Sequence, residues 1–293
     1  MRVNPVIVGA DGTDCSKAAV RWAAREANRL GLPLRVTHAF DWEWREARYD
    51  MSHDYLDHAR TMAEGITSNA VYEARIAVDD LEVEGDPVVG NPAPRLLADS
   101  EDARLMVLGS RGRGGFGSLL LGSVSQRVAT HAKCSVVVIR GRADNTEGPV
   151  VAGVDDSPAA DMVLEAAFEA AAARGATLKI IRGCPPPVPL WMAGMAGVDL
   201  QMPMAELEAY AKLEEQLAPW RNKFADVPVG MLVTETNVAS VLVTASAGAQ
   251  LVVVGSRGHG VVTGTLLGST GLQLLHHAEC PVYIVRRPAD SQE

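Results

Sequence analysis

The chain has 293 residues, of which 47% are apolar and 22% charged, and its formal net charge is −9. That length suggests about two domains of ordinary size, with apolar material enough for two packed cores. The acidic balance disfavours a nucleic-acid partner, because phosphate contacts need a basic face.

Residues 6–11 read as a first strand, apolar nearly to its end and so covered on both faces. Asp11 or Asp14 can cap the helix that comes next, in which Ala19, Trp22, Ala23 and Leu30 keep helical spacing up to a stop at Gly31. A second strand is expected over 34–39, an aromatic and charged connection over 41–54, and a helix over 55–73. Residues 81–87 look like a short third strand ending in a turn at Pro87, and 95–100 like a brief helix. Strand four covers 105–108, a helix starts near Val124, and strand five covers 136–139.

Residues 141–148 are polar and turn-rich, the best linker in the chain, and beyond them the order repeats. Residues 150–155 match the first strand, 178–183 the second and 282–285 the fifth. Residues 184–203, rich in proline, methionine and glycine, interrupt the second copy as a surface excursion. The helix after it places Leu213, Leu217, Trp220 and Phe224 on one face, with Pro219 expected to kink or end it. The longest uncharged stretch, 236–256, is broken by Asn237, Ser240, Thr244, Ser246 and Gln250, so it reads as a short helix and a buried strand, not a membrane span. Residues 1–9 lack the apolar core and cleavage site of a signal peptide. Four scattered cysteines, Cys15, Cys134, Cys184 and Cys280, lack zinc-site spacing and fit a reducing cytoplasm.

The most informative stretch comes after strand four: Gly109, Ser110, Arg111, Gly112, Arg113, Gly114, Gly115, then Gly122, Ser123, Val124 and Ser125 at the start of a helix. Without a Cβ, glycine lets backbone N–H groups converge on an anion, and a glycine-rich turn between a strand and a helix suits phosphate. The pattern G-x2-G-x9-G-S recurs as Gly255, Ser256, Arg257, Gly258, His259 and Gly260, closing with Gly268, Ser269 and Thr270. Turn-making alone does not explain the preserved spacing. In parallel sheets, ligands bind at the carboxyl ends of strands where the strand order reverses, so Asp11 and Gly109 could share one crevice, as could Asp155 and Gly255.

With these loops and the strand ends Gly9, Ala10, Asp11 and Gly153, Val154, Asp155, the chain resembles the universal stress protein family in its tandem two-domain form. The resemblance implies an α/β fold of two tandem five-stranded parallel-sheet domains, strand order 3-2-1-4-5, with helices on both faces. The domains would span 1–142 and 149–293, joined by a linker at 143–148. Family members with this loop bind ATP. Carried over, Asp11 would hold the ribose with Gly9 and Ala10 nearby, Ala39 would meet adenine, and Gly109, Gly112, Gly122 and Ser123 would wrap the phosphates. The matching second-half positions are Gly153, Asp155, Gly183, Gly255, Gly258, Gly268 and Ser269. Resemblance also suggests that the two fifth strands meet in an internal pseudo-dimer, with a homodimer as a further assembly.

The copies differ: Arg113 and Ser125 in the first loop face His259 and Gly271 in the second, so the first is expected to hold phosphate more tightly. Blander readings stand beside these. Asp11 and Asp155 could simply cap helices, and Arg111 and Arg257 could be solvated loop charges. His131 and His277 suit packing at helix ends better than a metal pair, and Cys134 and Cys280 suit small buried hydrophobes. The expected function is a cytoplasmic, ATP-binding stress-response sensor or regulator, with or without Mg, not an enzyme and not a membrane protein. No G-x4-G-K-[S/T] loop brings a lysine to the phosphates, which counts against fast phosphoryl transfer and leaves a slow ATPase or phosphotransferase as one alternative. An interaction scaffold with weak or cyclic-nucleotide binding is the other.

Overall fold

A computed structural model describes residues 4–40, 53–112, 120–184, 202–257 and 267–287. The chain divides into two compact units, the first running to Asp144 and taking in the chain from Arg286 as well, the second spanning Asn145–Val285. In the first, β1 (Val6–Gly9), α1 (Asp14–Leu30), β2 (Leu34–Phe40), α2 (His53–Ala77), β3 (Val83–Val89), α3 (Pro92–Asp99), β4 (Leu105–Gly109), α4 (Ser123–His131) and β5 (Ser135–Ile139) succeed one another. Val6, Ile7 and Val8 are all fully buried. Successive strand residues face opposite sides, so β1 is covered on both faces. It pairs in parallel with β2, Val6 opposite Leu34 and Gly9 opposite Thr37, and with β4, Val6 opposite Leu105. With β3 beside β2 and β5 beside β4, the order is β3-β2-β1-β4-β5.

That order dictates where the helices lie. Right-handed crossovers that step one way through β1, β2 and β3 place α1 and α2 on one face. The return to β4 and the step to β5 place α3 and α4 on the other, and the pairs α1 with α2 and α3 with α4 are indeed in contact. Small residues on α1, with Ala19, Ala23 and Ala27 at 0% exposure, let its axis approach the sheet closely. α1 stops at Gly31, whose left-handed φ of 63° a side chain would resist. Leu34 and Leu105 anchor the sheet beneath, each burial worth about 1.5–3 kcal/mol.

The second unit repeats the plan: β6 (Val150–Val154), α5 (Ala160–Arg174), β7 (Leu178–Gly183), α6 (Met202–Lys223), β8 (Val229–Thr234), α7 (Val238–Ser246), β9 (Leu251–Gly255), α8 (Ser269–His277) and β10 (Val282–Val285). Its parallel pairings give β8-β7-β6-β9-β10, the same 3-2-1-4-5 order. The apolar face of α6 is as expected: Leu213 and Leu217 are fully buried, and Trp220 and Phe224 stack on Phe168 of α5 at 6.3 and 5.5 Å. A side-chain link also repeats. Ser100 Oγ donates to the Leu97 carbonyl and accepts from Lys133 N, while Ser246 does the same with Val243 and Glu279. No described helix is long and apolar enough to cross a membrane.

Several local expectations need correction. The cap of α1 is neither Asp11 nor Asp14 but Thr13, whose Oγ1 accepts from Ser16 N at 3.3 Å. β3 does not turn at Pro87 but continues to Val89, which the missing N–H permits because β3 is an edge strand. α3 starts earlier, at Pro92, because Asn91 caps it and proline suits the first helical position. Pro219 does not end α6, which runs on to Lys223: the N–H it lacks costs one bond near the helix end. β8 has no strong sequence signal, with only Val233 buried among its residues. His131 and His277 end their helices exposed, not packed, whereas Cys134 and Cys280 are buried. Most of the 41–54 connection and of the 184–203 excursion lies outside the described residues.

Candidate functional site

The first half builds its site on the turn after β1. Ser16 Oγ accepts from the Asp11 and Gly12 amides at 3.3 and 3.1 Å and donates to the Thr13 carbonyl at 3.0 Å. Asp11 Oδ1 in turn accepts from Thr13 N at 3.0 Å and Thr13 Oγ1 at 2.6 Å. The carboxylate is thereby aimed, and an ionised carboxylate still has lone pairs for a ligand hydroxyl. Ala10 N donates to the Thr37 carbonyl at 2.9 Å, and His38 Nδ1 lies 2.7 Å from the Ala10 carbonyl. Since that oxygen only accepts, Nδ1 carries the proton.

The glycine turn meets this knot from β4. A β-carbon on Gly109 would stand 2.8 Å from the Cys15 carbonyl oxygen, and one on Gly112 would stand 2.6 Å from Asp11 Oδ2. Both glycines therefore let the β4 turn lie against the start of α1. Gly122 is different, for its β-carbon would meet nothing closer than 3.4 Å. Ser110 N donates to the Ile139 carbonyl, and the Ser110 carbonyl accepts from Gly122 N at 2.7 Å, which closes the loop. Gly122 caps α4 without a side chain, and the first turn holds no acidic residue. The amides of that turn and the positive end of the helix dipole are thus left for an anion.

These pieces enclose a cavity of about 480 Å³. It brings together Gly9, Ala10, Asp11, Ala39, Gly109, Arg111, Gly112, Gly122, Ser123, Val124 and Ser125. Ser110 is buried and is not part of this lining, and Arg113, Gly114 and Gly115 lie outside the described residues. Ser125 contributes a wall, but its proton is committed to the Gly109 carbonyl at 2.6 Å. The cavity also takes Ser16, Thr37, His38, Phe40, Pro92, Leu96 and Leu108, which the sequence reading missed. Two signals could have found them. Thr37 is level with the last residue of β1, so the end of β2 from His38 to Phe40 overhangs the crevice, and Asn91 with Pro92 marks a helix start. The lining combines apolar surface from Phe40, Pro92 and Leu96 with the backbone donors of the turn that starts at Gly122.

In the second half, Asp155 Oδ1 accepts from Ser157 N at 3.0 Å. Ser256 N donates to the Val285 carbonyl, and Gly268 N to the Ser256 carbonyl at 2.9 Å, as in the first half. Gly268 caps α8 with no side-chain bond, ahead of Ser269 and Thr270. Gly153, Val154, Gly183 and Gly255 sit at the ends of β6, β7 and β9, and Arg257 is exposed. Gly258, His259 and Gly260 lie outside the described residues. Among the described residues no group of three His, Cys, Asp or Glu side chains could hold a metal ion.

The sequence profile of the universal stress protein family matches residues 3–140 and again 148–286. Universal stress protein Rv2005c of Mycobacterium tuberculosis is 36% identical over 298 aligned residues, covering 96% of this chain and 97% of that protein. A universal stress protein of Mycolicibacterium smegmatis is 33% identical, with 96% of each chain covered. The crystal structure of a universal stress protein from Archaeoglobus fulgidus shares the fold, with a TM-score of 0.71 over 98% of both chains at 22% identity. Two profile matches in sequence and the same strand order in both units agree: the chain belongs to the universal stress protein family, as a tandem pair of its domains.

Proposed function

We propose that the first half binds an adenine nucleotide, with ATP the leading candidate, and that the chain is a cytoplasmic regulator which reads that nucleotide in a stress response. The observation that carries this reading is the cavity of about 480 Å³ whose lining combines three kinds of group. It lies within the size range of small-molecule sites. Phe40, Pro92 and Leu96 offer apolar surface that suits a base. Asp11 suits ribose hydroxyls, and the turn from Gly122 to Ser125, with no side-chain cap, suits phosphates. Any Mg would be carried by the phosphates, because it keeps its waters and needs few protein ligands. None of the four cysteines is in a disulfide, which fits a reducing compartment.

A regulator is favoured over an enzyme by what lines the cavity. Asp11 is the one carboxylate among the described lining residues, and it is tied to Thr13. No lysine is among them to neutralise charge at a transferring phosphoryl group. Turnover is therefore expected below about 1 s⁻¹, the lower end of ordinary enzymes. The test is mass spectrometry of small molecules released from the purified, denatured chain, followed by calorimetry with ATP, ADP and cyclic AMP. Recovery of no nucleotide, together with no heat from any of the three, would overturn the reading. A cyclic nucleotide bound in preference to ATP would replace the ligand while keeping the site.

A further inference from the structure

The two halves share a strand register, so their ligand ends can be compared residue by residue. Gly9 is level with Thr37 on β2, and Gly153 is level with Ile181 on β7. Arg182 therefore stands in the place of His38, and Asp155 in that of Asp11. The Arg182 side chain is buried, with the whole residue 4% exposed. Its Nη2 is ion-paired with Asp156, its Nη1 reaches Gln216 Oε1 of α6 at 3.5 Å, and the charge of Asp155 acts on it too. Asp156 in turn occupies the position that Gly12 holds in the first half, where φ is 82°. The two departures are complementary. Where the first half has a glycine turn and an imidazole, the second has a carboxylate and the cation it pairs with.

The rest of that end has changed in the same sense. Ser16, which ties the Asp11 turn, is replaced by Ala160, so the second turn lacks that knot. Beside it, Ala39 is replaced by Gly183, and a Val238 methyl stands 2.5 Å from where the missing β-carbon would be. Burial lowers the pKa of Arg182 and the Asp155 carboxylate raises it, yet a guanidinium stays charged at any ordinary pH. The guanidinium, fixed on Asp156 and Gln216, stands at the strand-end position from which His38 lines the first-half cavity. Drawing it off those partners to admit a ligand would leave a buried cation unpaired, which is costly.

We propose that Arg182 is the second half's built-in occupant, so that the chain takes one adenine nucleotide, in the first half alone. This rests on the nucleotide reading of the first half. The experiment is equilibrium dialysis of the full chain against saturating ATP, with circular dichroism as the check on folding. The unmodified chain should bind about one ATP, and Asp11→Ala should weaken that binding at least about tenfold without exposing another site. Arg182→His, which restores the first-half residue, should add a second, weaker equivalent, and Arg182→Gln serves as an independent opening variant. Two equivalents on the unmodified chain would overturn the proposal while the first-half site stands. So would one undiminished equivalent on Asp11→Ala, or a folded Arg182→His and Arg182→Gln that both remain at one. Binding of no ATP to any of these chains would overturn the parent reading and this one with it.

Discussion

Gly122→Ala separates a glycine needed for a ligand from glycines needed for the fold. Gly122 has φ −76° and ψ 149°, a backbone any residue adopts, and the new methyl would lie 3.4 Å from the Ser110 carbonyl oxygen and 3.7 Å from Gly112 N. Alanine gains about 0.4–1 kcal/mol from a less flexible unfolded chain. It loses a similar amount, about 0.5–1 kcal/mol, as a poorer helix cap. Stability without ligand should thus stay within about 1 kcal/mol of the starting chain. In the proposed site, however, the methyl would sit between the two backbone legs that a phosphate approaches. Losing one charge-assisted hydrogen bond costs about 1.5–3 kcal/mol, which is about 10- to 150-fold in Kd. Valine, with two more methyls in the gap, should abolish binding. Gly109→Ala is the counterpart, since its methyl meets Cys15 backbone atoms at 2.8 and 2.9 Å and should cost about 1–3 kcal/mol of stability before any ligand is added. Urea denaturation and ATP calorimetry on the two alanine variants make the comparison. A folded Gly122→Ala chain with Kd within about twofold of the starting value would refute the placement of phosphate at this turn.

Thr13→Ala removes the cap of α1 and one hydroxyl from Asp11, so unfolding free energy should fall by about 0.5–2 kcal/mol, with Thr13→Ser restoring most of it in thermal melts. Burial pushes the Cys134 thiol from 9.0 up to about 12. The unfolded chain therefore releases this proton first, so the contribution is complete below about pH 9 and is lost at about 1.4 kcal/mol per unit as pH rises towards 12. Cys134→Val should flatten that part of the alkaline stability curve, and parallel curves for the two chains would count against it. A chain of residues 1–141 should dimerise in sedimentation, because β5 ends the ladder of its unit and presents one row of backbone donors and acceptors. A folded, strictly monomeric half would mean that this edge is protected in another way.

Much of the fold could be read because its signals are local. The strands β1, β4, β6 and β9, buried but for a glycine in three of them, are short continuous apolar runs, and two copies of the same order are hard to mistake for chance. The edge strands were harder. β3 carries Glu84, Asp86 and Pro87, and β8 buries only Val233, so neither shows the pattern of a covered strand. An edge strand is held mainly by the backbone of its neighbour, which composition does not record. The cap of α1 was misassigned for a related reason. Asp11, Thr13 and Asp14 can all cap a helix, and only the folded turn decides which oxygen reaches the Ser16 amide.

By itself, the sequence determined that this chain is two α/β units of one family, each with a glycine turn between its fourth strand and the helix after it. Those facts come from hydrophobic runs, glycine spacing and repetition, all of which are properties of neighbours along the chain. The tertiary structure alone decided which distant residues share a cavity. His38, Phe40, Pro92 and Leu96 join Asp11 and Gly122 only because parallel pairing sets the strand ends level and the order reverses between β1 and β4. It also decided that the matching strand ends of the two halves, nearly alike in motif, differ in chemistry. Arg182 and Asp156 look like two ordinary charges in the sequence, and the fold pairs the buried guanidinium at the end of β7 with the exposed carboxylate next to Asp155 in the chain.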